Sequence, residues 1–300
     1  MRLGAHQSIA GGFETAIRLA EEDGCEALQI FTKSSNQWRD PVVTEDRARP
    51  FRRGVAGLGL GPVISHASYL VNLCSDDPAI RAKSVESLAA ELSRCAVLGI
   101  PYLVLHPGSH RGQGEDIGVR QVAEGIDTAY ASADVDGESP VRVLLETTAG
   151  QGRSVGHTFE HLAGIIERSG HGRRLAVCFD TCHVYAAGYD WTTARGYADV
   201  MGRLDGTVGL DRVPAFHLND SKREAGSRID RHEWIGDGAI GLEPFRRLVA
   251  DERFASHPAV LEIPPRDDDR GYRENLRRLR DLLGAPPPAR PLGRRARRAV

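Results

Sequence analysis

Residues 79–106 read AIRAKSVESLAAELSRCAVLGIPYLVLH, and two periodicities meet in them. Over Ala79–Leu98, the residues Ile80, Val85, Leu88, Leu92 and Cys95 recur at helical spacing, and Gly99 follows as a stop. The apolar run Tyr102–His106 comes next, reads as a strand, and closes on a histidine. The stretch is therefore one helix–strand unit whose strand ends in a residue able to bind a metal.

The same unit recurs on both sides. Short runs rich in Val, Ile and Leu predict strands at Arg2–His6, Ala27–Phe31, Pro62–His66, Tyr102–His106, Val141–Glu146, Leu175–Asp180, Ala215–Asn219 and Ala259–Ile263, with helical stretches between them. Eight strands each followed by a helix imply an α/β fold of the closed (β/α)8 TIM-barrel type rather than an open doubly wound sheet. A chain of 300 residues could hold two ordinary domains, but such barrels take about 250 residues, so residues 1–284 are expected to form one domain. No Gly-rich dinucleotide turn follows the first strand. Ala10-Gly11-Gly12 lacks the third glycine and falls in a helical start, which excludes Rossmann chemistry.

Six strand runs end in a potential ligand: His66, His106, Glu146, Asp180, His217 and Glu262, at intervals of 40, 40, 34, 37 and 45 residues. In a barrel these side chains gather at the C-terminal rim of the strands, the face where such folds keep their active sites. One histidine at a strand end is ordinary; six successive cases are not. Three more candidates come from loops: His183, three residues after Asp180, and the pair Asp230 and His232, whose alternate spacing on an extended stretch points both the same way. Nine imidazole and carboxylate ligands without a thiolate suit zinc in open catalytic sites, with manganese an alternative in one of them. Nine ligands serve three ions if a carboxylate bridges. Paired divalent ions about 3.5–4 Å apart activate a shared water and clamp an in-line phosphoryl displacement, so phosphodiester hydrolysis is the expected chemistry.

Composition sets the limits. Hydrophobic residues make up 41% and charged residues 27%, enough for a large soluble core, and no apolar stretch approaches the roughly 20 residues of a membrane span. Residues 1–24 carry six charges and show no secretory signal, so a cytoplasmic location is expected. The five cysteines are scattered, lack a CxxC pair and are expected to stay reduced, with Cys178 and Cys182 as packing residues. The net charge of −2 conceals five arginines and no acid in residues 285–300, which leaves −7 on the rest. Three divalent ions would nearly cancel that −7. The Pro/Arg composition of 285–300 predicts a disordered basic tail, either simply solvated or adding nonspecific affinity for a nucleic-acid backbone.

Several longer motifs carry a resemblance. Gly4-Ala5-His6, Phe31-Thr32-Lys33, His66-Ala67-Ser68-Tyr69-Leu70, His106-Pro107-Gly108-Ser109-His110 and Glu146-Thr147-Thr148-Ala149-Gly150-Gln151-Gly152 resemble the endonuclease IV family, the zinc-dependent abasic-site endonucleases of the AP endonuclease 2 group. So do the stretch from Asp180-Thr181-Cys182-His183 to Asp190, His217-Leu218-Asn219-Asp220-Ser221-Lys222, Asp230-Arg231-His232-Glu233 with Ile235-Gly236-Asp237-Gly238, and Leu261-Glu262. The likeness runs from about residue 1 to residue 282.

The resemblance implies a DNA-repair enzyme that cuts 5′ to an abasic site, leaves a 3′-hydroxyl and a 5′-deoxyribose phosphate, and trims blocked 3′ ends. It assigns His66, His106 and Glu146 to a first zinc; Glu146, Asp180, His217 and Glu262 to a second; and His183, Asp230 and His232 to a third. On this reading a hydroxide between the first two ions attacks phosphorus with Glu262 orienting it, while the third ion stabilises the departing 3′-oxygen. Tyr69 and Leu70 match the position that enters damaged DNA, with Asn36 and Gln37 in the neighbouring loop. The best-studied family members carry an arginine where Asn36 stands, and a shorter neutral amide reaches and stacks less well.

The expected partner is damaged duplex DNA, bound by a monomer with no obligatory protein partner. Two other readings stand beside it: a sugar isomerase or epimerase of the xylose-isomerase-like barrels, and a damaged-DNA binder without catalysis. His6 and His110 are expected to orient ligands or pack, Lys33 and Lys222 to approach phosphate, and His157, His161, His171 and His257 to lie on the surface or on helices.

Overall fold

The computed structural model describes residues 1–133, 141–266 and 270–284. The expected basic tail at 285–300 lies outside the described residues.

The chain runs β1 (Arg2–His6), α1 (Phe13–Asp23), β2 (Ala27–Phe31), α2 (Glu45–Leu58), β3 (Val63–His66), α3 (Pro78–Leu98), β4 (Tyr102–Leu105), α4 (Glu115–Ser132), β5 (Arg142–Glu146), α5 (Phe159–Arg168), β6 (Leu175–Asp180), α6 (Thr181–Ala186), α7 (Ala194–Thr207) and β7 (Ala215–His217). Then follow β8 (Asp220–Ser221), β9 (His232–Glu233), α8 (Leu242–Val249), β10 (Pro258–Leu261) and α9 (Tyr272–Leu282). β1 to β7 and β10 close a barrel in which β1 pairs with both β2 and β10, and every barrel pair is parallel. The TIM barrel expected from the repeated unit is the fold.

Alternation along each strand divides the core in two. Ala27, Ile64, Val104, Leu144, Ala176, Cys178, Ala215 and Val260 fill the barrel interior, all fully buried, while a larger cluster packs between strands and helices. The interior is lined by small and branched residues because eight strands leave room for little more. Gly4 shows how tight the wall is: a Cβ there would sit 2.0 Å from the Ala27 carbonyl oxygen across the β1–β2 pair.

The deciding helix behaves as its sequence predicts. α3 starts one residue earlier than expected, with Pro78 in the first turn and Asp77 accepting from the Ala79 N–H at 2.8 Å, and ends on left-handed Gly99. Several strands are shorter than predicted. Pro62, Val141, Asn219 and Ile263 fall outside the ladders, and His106 and Glu262 sit one residue past β4 and β10. Barrel pairing stops where the chain turns over the rim, so ligand-type residues at strand ends occupy the first free positions. Gly11 and Gly12 form the turn before α1, with φ of 93° and 117°, and Gly12 caps that helix rather than lying in it. The β8–β9 hairpin was not expected from the sequence; its two-residue ladder carries no periodic signal.

Candidate metal centre

The nine predicted ligand residues converge on the C-terminal rim. His66, His106 and Glu146 form one group; Glu146, Asp180, His217 and Glu262 a second; His183, Asp230 and His232 a third; and within each group the ligand atoms lie within 4.8 Å of one another. Glu146, fully buried at the end of β5, belongs to two groups through different oxygens. Its Oε2 lies 3.1 Å from His66 Nε2 and 2.8 Å from His106 Nε2, and its Oε1 lies 3.0 Å from His217 Nδ1. In the third group Asp230 stands 3.1 Å from His183 Nε2 and 3.3 Å from His232 Nε2, and those two nitrogens are 3.3 Å apart. A tetrahedral zinc site with bonds of ~2.0–2.1 Å places its ligand atoms ~3.3 Å apart, so these spacings suit a small divalent ion.

Ring orientation strengthens the fit. His66 Nδ1 donates to the Ala67 carbonyl at 2.7 Å, His183 Nδ1 to Thr147 O at 2.9 Å, and His232 Nδ1 to Glu262 O at 2.9 Å. With those protons fixed on Nδ1, the Nε2 lone pairs of His183 and His232 face each other and a carboxylate. That arrangement requires positive charge between them. Acceptors on the far nitrogen are the usual support of metal-bound imidazoles.

Without a cation, the cluster leans on protons. Burial opposes charge on His183 and His217, yet the carboxylates around them (and the Cys178 thiol beside His217) hold both well above the usual imidazole range. Burial likewise would push Glu146 and Glu262 up, but the histidines facing them hold both well below the usual carboxylate range.

His183 does not come from a loop, as expected, but from the first turn of α6, where Asp180 Oδ1 accepts its backbone N–H at 2.8 Å. The same carboxylate therefore caps the helix and faces the second group. Asp180, Cys182 and His232 also lie close together, but Cys182 is fully buried and burial pushes its thiol up to about 12, so it remains a packing residue. Cys178 is equally buried, its thiol raised to about 11.

The hairpin carries the third group. Asp220 on β8 accepts five backbone N–H groups, from Ser221, Gly236, Gly238, Ile240 and Gly241, at 2.7–3.2 Å. This ties the chain after β9 to the strand that pairs with His232. Sequence reading did not single out Asp220; its Gly-rich neighbourhood was the available signal.

Gln29 was also missed. It lies at the centre of β2, fully buried inside the barrel. Its Nε2 donates to Glu262 Oε1 at 2.6 Å, and its Oε1 accepts from His217 Nε2 at 2.8 Å. His6 joins them, with Nδ1 2.9 Å from Glu262 Oε1 and 3.0 Å from Gln29 Nε2. A polar residue in the middle of Ala27-Leu28-Gln29-Ile30-Phe31, facing inward with Ala27 and Phe31, was the signal.

Two cavities open beside the cluster. One of about 800 Å³ is bordered by His106, His183, Asp230, Arg111 and Arg231; the other, about 430 Å³, by His6, Glu262, Ser34 and Ser35. Tyr69 borders both. It is 58% exposed, with its ring edge against Phe31 and near His66. Leu70 beside it is half-buried, and Asn36 and Gln37 are exposed on the neighbouring loop, which Ser68 Oγ clasps through Ser35 O at 2.6 Å.

The structure corrects several other expectations. Lys33 is only 4% exposed and its amine is spent on Ser87 Oγ at 2.7 Å and Asp40 at 3.0 Å, so it props a loop instead of reaching outward. Lys222 is exposed, 3.6 Å from Glu233. His110 orders its own loop by accepting from Gly112 and Gly114 N–H, and His6 alone of that pair touches a candidate ligand. His157 is buried in the turn before α5, where it and His161 face Glu115 at 3.5 and 3.3 Å. Arg111, Arg153 and Arg228 are the described non-glycine residues with positive φ, and all three lie on rim loops.

Comparison with known proteins gives one consistent picture. Residues 17–282 match the family model described as xylose isomerase-like TIM barrel. The chain is 48% identical over 281 residues to a probable endonuclease 4 of Geobacter sulfurreducens, covering 94% of each chain. It superposes on the crystal structure of endonuclease IV from Thermus thermophilus with a TM-score of 0.81 and 40% identity, covering 95% of this chain and 99% of that one. A 3-keto-D-glucoside 4-epimerase from E. coli gives a TM-score of 0.67 at 16% identity, covering 94% of this chain and 99% of that one, a likeness of fold alone.

Proposed function

The chain belongs to the endonuclease IV family of the xylose isomerase-like TIM barrels, and from that premise we propose that it is a zinc-dependent DNA-repair endonuclease acting at abasic sites. It hydrolyses the phosphodiester bond 5′ to the lesion, leaves a 3′-hydroxyl and a 5′-deoxyribose phosphate, and trims blocked 3′ ends. It works as a monomer, since one barrel reading a duplex needs no second subunit.

The observation that carries this reading is the facing pair of imidazole nitrogens at His183 and His232, 3.3 Å apart beside Asp230, part of a nine-residue set whose ligand atoms lie within 4.8 Å of one another in each group. His66, His106 and Glu146 would hold a first zinc, Glu146, Asp180, His217 and Glu262 a second, and His183, Asp230 and His232 a third. Zinc bound there supplies an activated water near neutral pH and positive charge for the phosphodiester oxygens.

The chain's own residues do the positioning. Glu146 joins two groups through its two oxygens. Glu262 is aimed by His6 and Gln29 from one side and faces His217 from the other, which suits it to orient the attacking water. Tyr69 is exposed between the two cavities and backed by Phe31, which supports a role in filling the gap in stacked bases when the abasic nucleotide leaves the helix, with Leu70 beside it and Asn36 and Gln37 on the neighbouring loop.

The test is incision of an end-labelled duplex holding one abasic-site analogue by protein of measured zinc content. Cleavage 5′ to the lesion, abolished by stripping the metal and restored by zinc, is expected. Intact duplex after incubation with protein carrying about three zinc ions would overturn the nuclease reading in favour of a damaged-DNA binder.

A further inference from the structure

Four histidines of the cluster have their outward nitrogen fixed by an acceptor. For His66, His183 and His232 that acceptor is a backbone carbonyl. For His217 it is a side chain, Gln29 Oε1 at 2.8 Å. The orientation of the Gln29 amide is not arbitrary. Its other end lies 2.6 Å from Glu262 Oε1, and an ionised carboxylate only accepts, so the NH2 group must face Glu262 and the oxygen must face His217. In the neutral imidazole that a metal ligand must be, the proton of His217 is thereby set on Nε2, and Nδ1 faces the space shared by Glu146 Oε1 at 3.0 Å and Glu262 Oε2 at 3.1 Å.

We infer that Gln29 is a positioning residue for the second metal group: one amide fixes the tautomer of His217 and the direction of Glu262, so that both ligands present their free atoms to the same point. This rests on the metal-centre reading above. A buried glutamine beside the apolar interior cluster of Ala, Ile, Val, Leu and Cys is costly to retain unless both ends of its amide are hydrogen-bonded. Its placement at the midpoint of β2, reaching residues from β7 and just beyond β10, gives it a role that packing does not.

The test uses Gln29→Met, which keeps length and volume and removes both hydrogen bonds. The variant and the wild type are loaded with zinc, dialysed against a chelator and analysed for zinc per chain, with folding followed by thermal melting. Outer partners of ligating imidazoles typically tune affinity 10–100-fold. The expected result is a loss of affinity of about 10–100-fold confined to one ion of the three, with incision restored by excess zinc. A cycle with His217→Ala tests the coupling: once His217 is gone, Gln29→Met should cost clearly less zinc than it does in the wild type, the remainder being its contact with Glu262.

Wild-type zinc retention in a folded Gln29→Met variant overturns the inference. So does even loss of all three ions with a lowered melting temperature, or a fully additive loss on top of His217→Ala; each marks a merely structural residue. Should the Met variant fail to fold, Gln29→Glu replaces it: it keeps an oxygen for His217 but puts a second carboxylate against Glu262, and unaltered zinc affinity there overturns the inference equally. Wild-type protein that binds zinc but leaves the abasic duplex intact defeats the nuclease reading alone, and protein that binds no zinc defeats both.

Discussion

Glu262 is held at three points by different partners. His6 and Gln29 grip Oε1, His217 faces Oε2, and the backbone is fixed separately, its N–H donating to Asn219 Oδ1 at 2.8 Å and its carbonyl accepting from His232. Substitution of the side chain therefore leaves the backbone contacts in place, and the residue sits beyond the last paired position of β10. Glu262→Gln should lower incision at least ~100-fold, within the range a positioned acid–base group supplies, while the melting temperature moves by only a few degrees. The amide cannot neutralise a cation and presents a donor to the Gln29 NH2. Turnover close to wild type in the Gln variant, measured on the same end-labelled duplex, would remove Glu262 from the mechanism.

At the scale of elements, the hairpin of β8 and β9 is a two-residue ladder whose surrounding chain is gathered by one residue. Asp220 collects five backbone N–H groups, and Gly238 is packed so closely that a Cβ would lie 2.4 Å from Asp220 Oδ1. Removing the carboxylate strands those donors, and hydrogen bonds to a charged group contribute about 1.5–3 kcal/mol each. Asp220→Ala should cost on the order of 3 kcal/mol in urea unfolding. It should also shed the ion proposed for His183, Asp230 and His232 before the other two proposed ions; a variant of unchanged stability that keeps full zinc would show that the loop holds itself. This element also marks where reading the sequence stops. The eight barrel strands were legible because each apolar run is followed by a helix of clear period, and the convergence of the nine candidate ligands was legible because strand ends fall on one rim. The hairpin has no periodicity, His183 looked like a loop residue because a six-residue helix is too short to show a face, and Gln29 was hidden in a run that otherwise reads as core. Lys33 was misread for the converse reason: its motif faces the rim, but α3 contributes Ser87 beneath it, and no local pattern reveals a partner 54 residues away.

For the whole molecule the question is how a chain with −7 on residues 1–284 approaches a polyanion. Three divalent ions would offset most of that charge where the reacting phosphate must come. Further out, cations have to be supplied along the duplex. Asn36 gives none, and Lys33 is committed to Ser87 and Asp40. Two candidate sources are the rim arginines Arg111, Arg153, Arg228 and Arg231, and the five arginines of residues 285–300. The rim set borders the larger cavity through Arg111 and Arg231, and its loops are laced together, since His110 N–H donates to Arg153 O at 3.3 Å and Asp230 N–H to Gln151 Oε1 at 2.9 Å. Holding arginine at φ of 48°, 65° and 54° costs backbone energy, of order 1–2 kcal/mol per residue, so the loops keep those side chains where glycine would be more comfortable. The two sources can be separated by salt. Each phosphate neutralised contributes about 0.9 to the slope of log affinity against log salt on duplex DNA. Deleting residues 285–300 should weaken binding at low salt and flatten that slope, by up to about 4.5 if all five arginines engage phosphate, while incision at saturating protein stays as it was. An identical slope for the shortened chain would exclude the tail from DNA binding and leave the backbone to be met by cations of residues 1–284, the rim arginines among them.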